Sequence, residues 1–172
     1  MTEAQLSNAM DAYGSTVYRL ALTRMQNIAD AEDVYQEVFL RLWKQAAEDW
    51  DGDRAKAWLI RTTLNRCADL HRFRLRRPVL SFAEIPDLAQ PEDESRELWE
   101  AVSRLPEKAR TAVHLYYAEG YSAEEISQLM HIPAATVRTR LHRARKQLKE
   151  LLGGIDDETC VSRSDGTNFG PR

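Results

Sequence analysis

The chain has few of the residues that cross-link or punctuate a fold. Among 172 residues there are two cysteines, Cys67 and Cys160, which form no metal-ligand spacing and no disulfide framework, so small stapled scaffolds and zinc modules are excluded. Seven glycines and six prolines are too few for a low-complexity or collagenous chain. No apolar run approaches the roughly 18 residues of a membrane span. The opening "MTEAQLSNAMDAYGS" lacks the basic stretch and apolar core of a secretory signal, and the expected location is the cytoplasm. Glu-x-x-His pairs, Ser-His-Asp spacing and phosphate-cradling glycine loops are missing as well. Neither catalysis, nor a cofactor, metal ion or small-molecule substrate is therefore expected. An excess of positive charge is also lacking: 24 Lys+Arg stand against 27 Asp+Glu, for a formal net charge of −3.

What remains is helical. Alternating apolar and polar runs are absent, so no sheet is expected, and apolar residues recur at three- and four-residue steps almost throughout. Leu6, Met10, Tyr13, Val17 and Leu20, then Val34, Val38 and Leu42, describe two amphipathic helices between about residue 3 and Trp43, with Asp30 as a cap for the second. After "DWDGDR", with Asp53 as a cap, a third helix is expected from about Arg54 to Phe73. Pro78, Pro86 and Pro91 mark a stretch without sustained period, read as a linker. Helices resume at Ser95 to Arg104, Pro106 to Glu119, Ser122 to Met130 and Pro133 to Leu152. The predicted organisation is all-α, with two small helical domains joined by a flexible linker. Its boundaries are 1–77, linker 78–95, 96–152, and a disordered tail at 153–172.

The charge is unevenly spread. In "TVRTRLHRARKQLKEL" Arg138, Arg140, Arg143, Arg145, Lys146 and Lys149 occur with no acid among them. Val137, Leu141, Ala144, Leu148 and Leu151 form an apolar stripe, expected to bury against Ile126, Leu129, Val113 and Tyr117. Thr136 in the first turn, and Arg138, Thr139, His142, Arg143 and Lys146 on the opposite surface, then face outward on a helix whose width suits the major groove of B-DNA. The preceding helix carries Ser122 and Glu125 at capping-box spacing, and short helix, turn and cationic helix follow in helix-turn-helix order. From residue type alone His142 is equally a surface histidine or a base-contacting one.

Residues 105 to 152, "LPEKARTAVHLYYAEGYSAEEISQLMHIPAATVRTRLHRARKQLKELL", resemble region four of the bacterial extracytoplasmic-function (ECF) sigma factors, the group 4 members of the sigma-70 family of RNA polymerase sigma factors. The resemblance implies that this helix-turn-helix reads the minus-thirty-five promoter element. A second segment, "DAEDVYQEVFLRLWK", puts Asp33, Gln36, Glu37, Leu40 and Trp43 on one side of a helix and Ala31, Val34, Val38 and Leu42 on another. Periodicity alone leaves open whether the first side merely faces solvent. This segment is similar to the region-two helix that grips the clamp coiled coil of the polymerase largest subunit. Asp33, Gln36, Glu37, Phe39 and Trp43 occupy the matching positions, while Val34 and Tyr35 depart from the commoner aliphatic pair.

The third segment, "AWLIRTTLNRCADLHRFRLRR", interleaves Arg61, Arg72, Arg74, Arg76 and Arg77 with Phe73. Guanidinium groups neutralise phosphate, and flat groups stack on splayed bases; a helix end that favours cations through its dipole has the same composition. The resemblance implies opening of the minus-ten element, with Asn65 and Asp69 facing a captured base and the loop from His71 to Arg77 helping to choose it. Trp58 is compatible with a core position or with a wedge between bases. The resemblance spans residues 10 to 152 and implies core RNA polymerase, duplex and single-stranded promoter DNA and an inhibitory anti-sigma protein as partners. A dimeric duplex-binding regulator would need a dimer seam or ligand pocket, and a helical metalloenzyme would need converging histidines. The sequence supplies none of these.

Overall fold

The computed structural model describes residues 2–45, 52–76 and 93–153. Among them there is no strand; the elements are α1 (Glu3–Met25), α2 (Ile28–Lys44), α3 (Gly52–Arg76), α4 (Asp93–Ser103), α5 (Glu107–Val113) running on into a π-helical turn (His114–Ala118), α6 (Ala123–Met130) and α7 (Ala134–Leu151). The all-α fold follows the sequence periodicity, with local corrections. The predicted linker lies outside the described residues over 78–92, and α4 begins at Asp93. The predicted tail lies outside them from 154 onward.

Helix starts are set by short polar side chains that accept from otherwise unpaired N–H groups. Thr2 and Gln5 form a reciprocal box at α1, Ser122 and Glu125 another at α6. The cap of α2 is Asn27, whose side chain accepts from the Asp30 N–H at 3.0 Å, and not Asp30 as expected. A one-turn shift of the helix start explains the correction: Asp30 sits inside the first turn, buried, with its carboxylate on Arg74 of α3. Asp53 likewise lies within the first turn of α3 rather than before it. Pro133 precedes α7 and provides no side-chain cap, because its ring carries no hydrogen-bond acceptor.

The first three helices pack around Val17, Ala21, Val34, Val38, Leu42, Leu59 and Cys67. Trp58 is half-buried against this cluster. The unusual Tyr35 has a specific seat. Its ring lies 6.3 Å from Tyr18 in an edge arrangement and 4.8 Å from Phe39, and its hydroxyl would meet a Cβ on Gly14 at 3.0 Å. Gly14 is what lets α1 accept a tyrosine from α2.

In the second half, Val137, Leu141 and Ala144 bury against Ile126, Leu129 and Leu115, with Leu148 partly covered. The predicted stripe is too long by one turn, because Leu151 is 43% exposed where α7 outruns its neighbours. Tyr117 is also exposed, and Tyr116 packs on the core instead, within a turn that is wider than an α-helical one. His131 closes α6 in the left-handed region at φ 53°, making the tight turn of the helix-turn-helix.

The two halves share a core. Leu20, Ile60 and Leu64 of the first belong to the same buried cluster as Leu105, Ala112 and Leu115 of the second. Beside this cluster, His114 is 4% exposed, its Nδ1 3.3 Å from the Thr23 hydroxyl. Burial lowers the His114 pKa from its ordinary value; Glu119 opposes that and Arg19 adds to it.

Two predictions follow from packing and charge. Gly14→Ala gains roughly 1 kcal/mol of helix propensity but overpacks Tyr35 by about 1–3 kcal/mol. A net loss is expected in urea unfolding, while the same change in a Tyr35→Phe background stabilises. For His114 the folded pKa lies below the unfolded value of 6.5, so its contribution is intact above pH 6.5 and is lost as pH falls through the folded pKa. Stability measured between pH 7.5 and 5.5 therefore declines more steeply in the wild type than in His114→Asn, with Glu119, Arg19 and the Lys56 paired to Glu119 unchanged in both.

Candidate nucleic-acid interface

The outer face of α7 carries what the periodicity placed there. Arg138, Thr139, His142, Arg143 and Lys146 are exposed and Thr136 is half-buried. The Thr139 hydroxyl donates back to the Ala135 carbonyl at 2.9 Å, which fixes its rotamer and leaves lone pairs outward. Arg138 is ion-paired with Glu124 of α6, both side chains being about 60% exposed. Such a pair contributes little to stability and exchanges readily for another anion.

On α3, Arg61, Asn65 and Asp69 are exposed at four-residue spacing and so line one ridge. Asp69 accepts from Arg72 Nη2 at 2.9 Å. Beyond the ridge lies a cleft of about 520 Å³ lined by Arg66, Asp69, Leu70, Arg72 and Phe73. Phe73 is 55% exposed. Arg66 and Leu70 were not singled out from sequence; Arg66 Nε is buried with no hydrogen-bond partner among the described residues. Two expectations change here. The stretch from His71 is helical through Arg76 rather than a loop, and Arg74 turns inward to Asp30, acting as a strut instead of facing outward. The Arg76 side chain and Arg77 lie outside the described residues.

The exposed side of α2 is acidic and apolar together. Asp33 and Gln36 are exposed, Glu37 is half-exposed and accepts from Arg41 at 3.0 Å, and Leu40 and Trp43 remain 53% and 42% exposed. Large apolar groups one turn apart and open to water mark a contact surface more than a stable solvent face. Phe39 is 4% exposed, with its ring against Tyr35; it shapes the helix from inside and does not reach that surface. Its position next to Val38 puts it one residue round from the exposed ridge. Burial pushes the Cys67 thiol up to about 12, leaving an inert group. No cluster of metal-ligating side chains occurs among the described residues, and none of their helices is long and apolar enough to cross a membrane.

A helix-turn-helix with a cationic outer face, joined to a helical bundle with an arginine-aromatic helix end, defines a two-module class with the features of a nucleic-acid-binding protein. Residues 9–77 match the family model described as Sigma-70 region 2, and residues 95–148 match Sigma-70, region 4. The ECF RNA polymerase sigma factor SigM of Bacillus subtilis is 32% identical over 155 residues, covering 85% of this chain and 94% of SigM. The ECF RNA polymerase sigma factor SigE of Mycolicibacterium smegmatis is 34% identical over 161 residues, covering 87% of this chain; the match spans 62% of SigE. The chain belongs to the ECF RNA polymerase sigma factors, and is a transcription initiation factor rather than an enzyme. Its fold is shared with the sigma factor RpoE of Bartonella quintana, solved with the anti-sigma factor NepR, at TM-score 0.72 and 24% identity over 87% of this chain and 97% of that one. CnrH, solved with the cytosolic domain of CnrY, matches at TM-score 0.62 and 26% identity over 88% and 90% of the two chains.

The burial pattern separates neighbouring arginines. Arg74→Ala leaves the buried Asp30 carboxylate unpaired and is expected to cost about 1–3 kcal/mol in chemical unfolding, whereas Arg72→Ala stays within about 0.5 kcal/mol of wild type.

Proposed function

We propose that the chain docks on the clamp coiled coil of core RNA polymerase through Asp33, Gln36, Glu37, Leu40 and Trp43. With α7 it then reads the minus-thirty-five duplex, and with the end of α3 it opens and holds the minus-ten element. The observation that carries this reading is the outer face of α7 from Arg138 to Lys146: Arg138, Thr139, His142, Arg143 and Lys146 are exposed with no acid among them, opposite a stripe buried in a helix-turn-helix core. Arg138, Thr139 and His142 reach base edges, Arg143 and Lys146 sit on phosphates, and the half-buried Thr136 positions the first turn.

Opening a duplex costs a few kcal/mol per extruded base. Stacking on Phe73 and hydrogen bonds from the Asn65 and Asp69 ridge offset this, while Arg61 and Arg72 hold the strand backbone. The cleft beside that ridge has the chemistry for a turned-out base: a guanidinium from Arg66, a carboxylate from Asp69 and the apolar side of Leu70. Regulation by an anti-sigma protein belongs to the same reading, supported by CnrH, 26% identical, having been solved with a partner domain. The place of action is the cytoplasm, where core polymerase and promoter DNA meet.

Run-off transcription with purified core polymerase and a promoter library tests the reading. Arg138→Ala is expected to relax one minus-thirty-five position by about 1–3 kcal/mol, roughly 5- to 150-fold. Lys146→Ala weakens all promoters alike and lowers the salt dependence by about one phosphate contact. Asn65→Ala impairs opening and is rescued on templates with a pre-melted minus-ten segment. Equal promoter profiles for wild type, Arg138→Ala and Asn65→Ala would refute the assignments.

A further inference from the structure

We propose that Arg74 is a positioning residue for strand capture. By holding the end of α3 against the first turn of α2, it keeps Arg72 and Phe73 in place as the outer wall of the cleft beside Asp69. The inference rests on the minus-ten part of the proposed function for its consequence, and on α2 and α3 alone for its geometry.

The two walls of the cleft are held differently. Arg66, Asp69 and Leu70 lie on the stretch of α3 that packs on the first bundle, where Cys67 is buried and Leu70 packs on the cluster around it. Arg72 and Phe73 come from the turn beyond. No apolar side chain described after Leu70 is buried: Phe73 is 55% and Leu75 85% exposed. A helix end without such burial frays. The bonds of Arg72, to the Ala68 carbonyl at 3.4 Å and the Asp69 carboxylate at 2.9 Å, stay within α3 and move with it. His71 lies 3.7 Å from Glu107 of α5, but it stands before the outer wall and not within it. Arg74 crosses to α2, where its guanidinium donates to the Asp30 carboxylate, a side chain only 9% exposed.

The pair is better suited to fixing direction than to adding stability. Asp30 sits in the first turn of α2 and Arg74 in the last turn of α3, so each charge is on the helix end whose dipole favours it. Yet Asp30 Oδ2 is buried with no hydrogen-bond partner among the described residues, and a buried pair left incompletely satisfied adds little net stability. What it fixes is the rotation of the last turn. Successive residues on a helix are turned by about 100°. With Arg74 held inward, Arg72 therefore points nearly opposite, outward, and Phe73 points to the side, where both line the cleft. The same pair ties the cleft to α2, whose exposed face begins with Asp33 one turn after Asp30. A base held in the cleft then keeps a set distance from whatever α2 docks on.

The test uses the full chain bound to core polymerase and a series of single-stranded minus-ten oligonucleotides, each with one abasic position. Wild type is compared with Arg74→Met, Arg74→Lys and Asp30→Ala, and unchanged helical circular dichroism verifies folding. In wild type one abasic position is expected to weaken binding about tenfold, the loss of one stacked base. In Arg74→Met that penalty is expected to fall below about twofold, with affinity for core polymerase unchanged. Arg74→Lys keeps a cation for Asp30 and restores most of the penalty. Asp30→Ala separates a strut from a phosphate contact: an arginine that acts through Asp30 loses its effect, and the penalty falls as in Arg74→Met, whereas one that binds the strand directly binds it better once freed. Hydrogen exchange of the free chain reads the geometry without DNA. The amides of Arg72 to Leu75 are expected to exchange about tenfold faster in Arg74→Met, and those of Leu64 to Leu70 at the wild-type rate. A full abasic penalty in Arg74→Met, a gain of strand affinity in Asp30→Ala, or unaltered exchange overturns the positioning role. A wild type with no sensitive abasic position sinks base capture itself and this consequence with it, while the exchange rates still show whether Arg74 holds the helix end.

Discussion

Arg110 is a buried cation with no carboxylate hydrogen-bonded to it among the described residues; its guanidinium spreads over four carbonyl oxygens at the ends of α1 and α4 and the connection that follows. Helix C-termini leave carbonyls unpaired and carry partial negative charge. Two such ends meet in the seam between the modules, where water cannot satisfy them. A planar fork with five donors is the side chain that can. Once Arg110 is fixed, so is the rotation of α5, and with it the rest of the seam. Glu107 falls beside Arg24, His114 one turn on falls beside Thr23, and Glu119 falls beside Lys56. The last step is five residues rather than four, matching the π turn in which the Glu119 N–H reaches the His114 carbonyl at 3.2 Å. An ordinary α-turn there would rotate Glu119 away from both His114 and Lys56. The odd turn is thus explained by what it aligns.

The same accounting sorts arginines among the described residues. Arg24, Arg74 and Arg110 are tied to carboxylates or carbonyls within the fold and hold elements together. Arg61, Arg72, Arg138 and Arg143 are exposed, with at most solvent-facing partners that cost little to exchange. Under the proposed function only the second set is available to phosphate. A net charge of −3 is therefore no obstacle to a polyanionic partner: what matters is the local field of α7 and the end of α3, and acid elsewhere limits indiscriminate attraction.

How far the sequence discloses this can be seen element by element. The apolar period located all the helices, and the Ser122 and Glu125 box is present as the spacing implied, because helix phase and local capping depend on near neighbours in the chain. Exposure of Asp33, Gln36, Leu40 and Trp43 on α2 and of Arg138 to Lys146 on the outer face of α7 was legible for the same reason, while Leu151, placed in the buried stripe, is exposed where α7 outruns its neighbours. What escaped depends on residues distant in sequence. Phe39 turned inward because Tyr35 offers it a ring, and Tyr35 is there because Gly14 leaves room. Arg74 looked like one more cation of a basic run until Asp30, 44 positions away, claimed it. Arg66 and Leu70 gained a role only when a cleft formed beside them. The packing of one module on the other was also invisible: Leu20 reads from periodicity as an ordinary core position of its own bundle, yet with Ile60 and Leu64 it joins the buried cluster of the second half.

The pair between Arg138 and Glu124 bears on selectivity within the proposed function. An arginine that faces only solvent gains its full phosphate attraction on any DNA, so it adds affinity without discrimination. Arg138 must first give up Glu124, and the carboxylate, placed in the first turn of α6, then stands close to the incoming phosphates. A phosphate contact repays that small loss. A base edge that accepts the guanidinium in two hydrogen bonds recovers more, because directed bidentate geometry adds to the charge term. The release of Glu124 is a small cost common to every contact and cancels in the difference between right and wrong ones, so under the proposed function discrimination comes from the directed geometry of the guanidinium, and the pair only trims indiscriminate attraction to DNA.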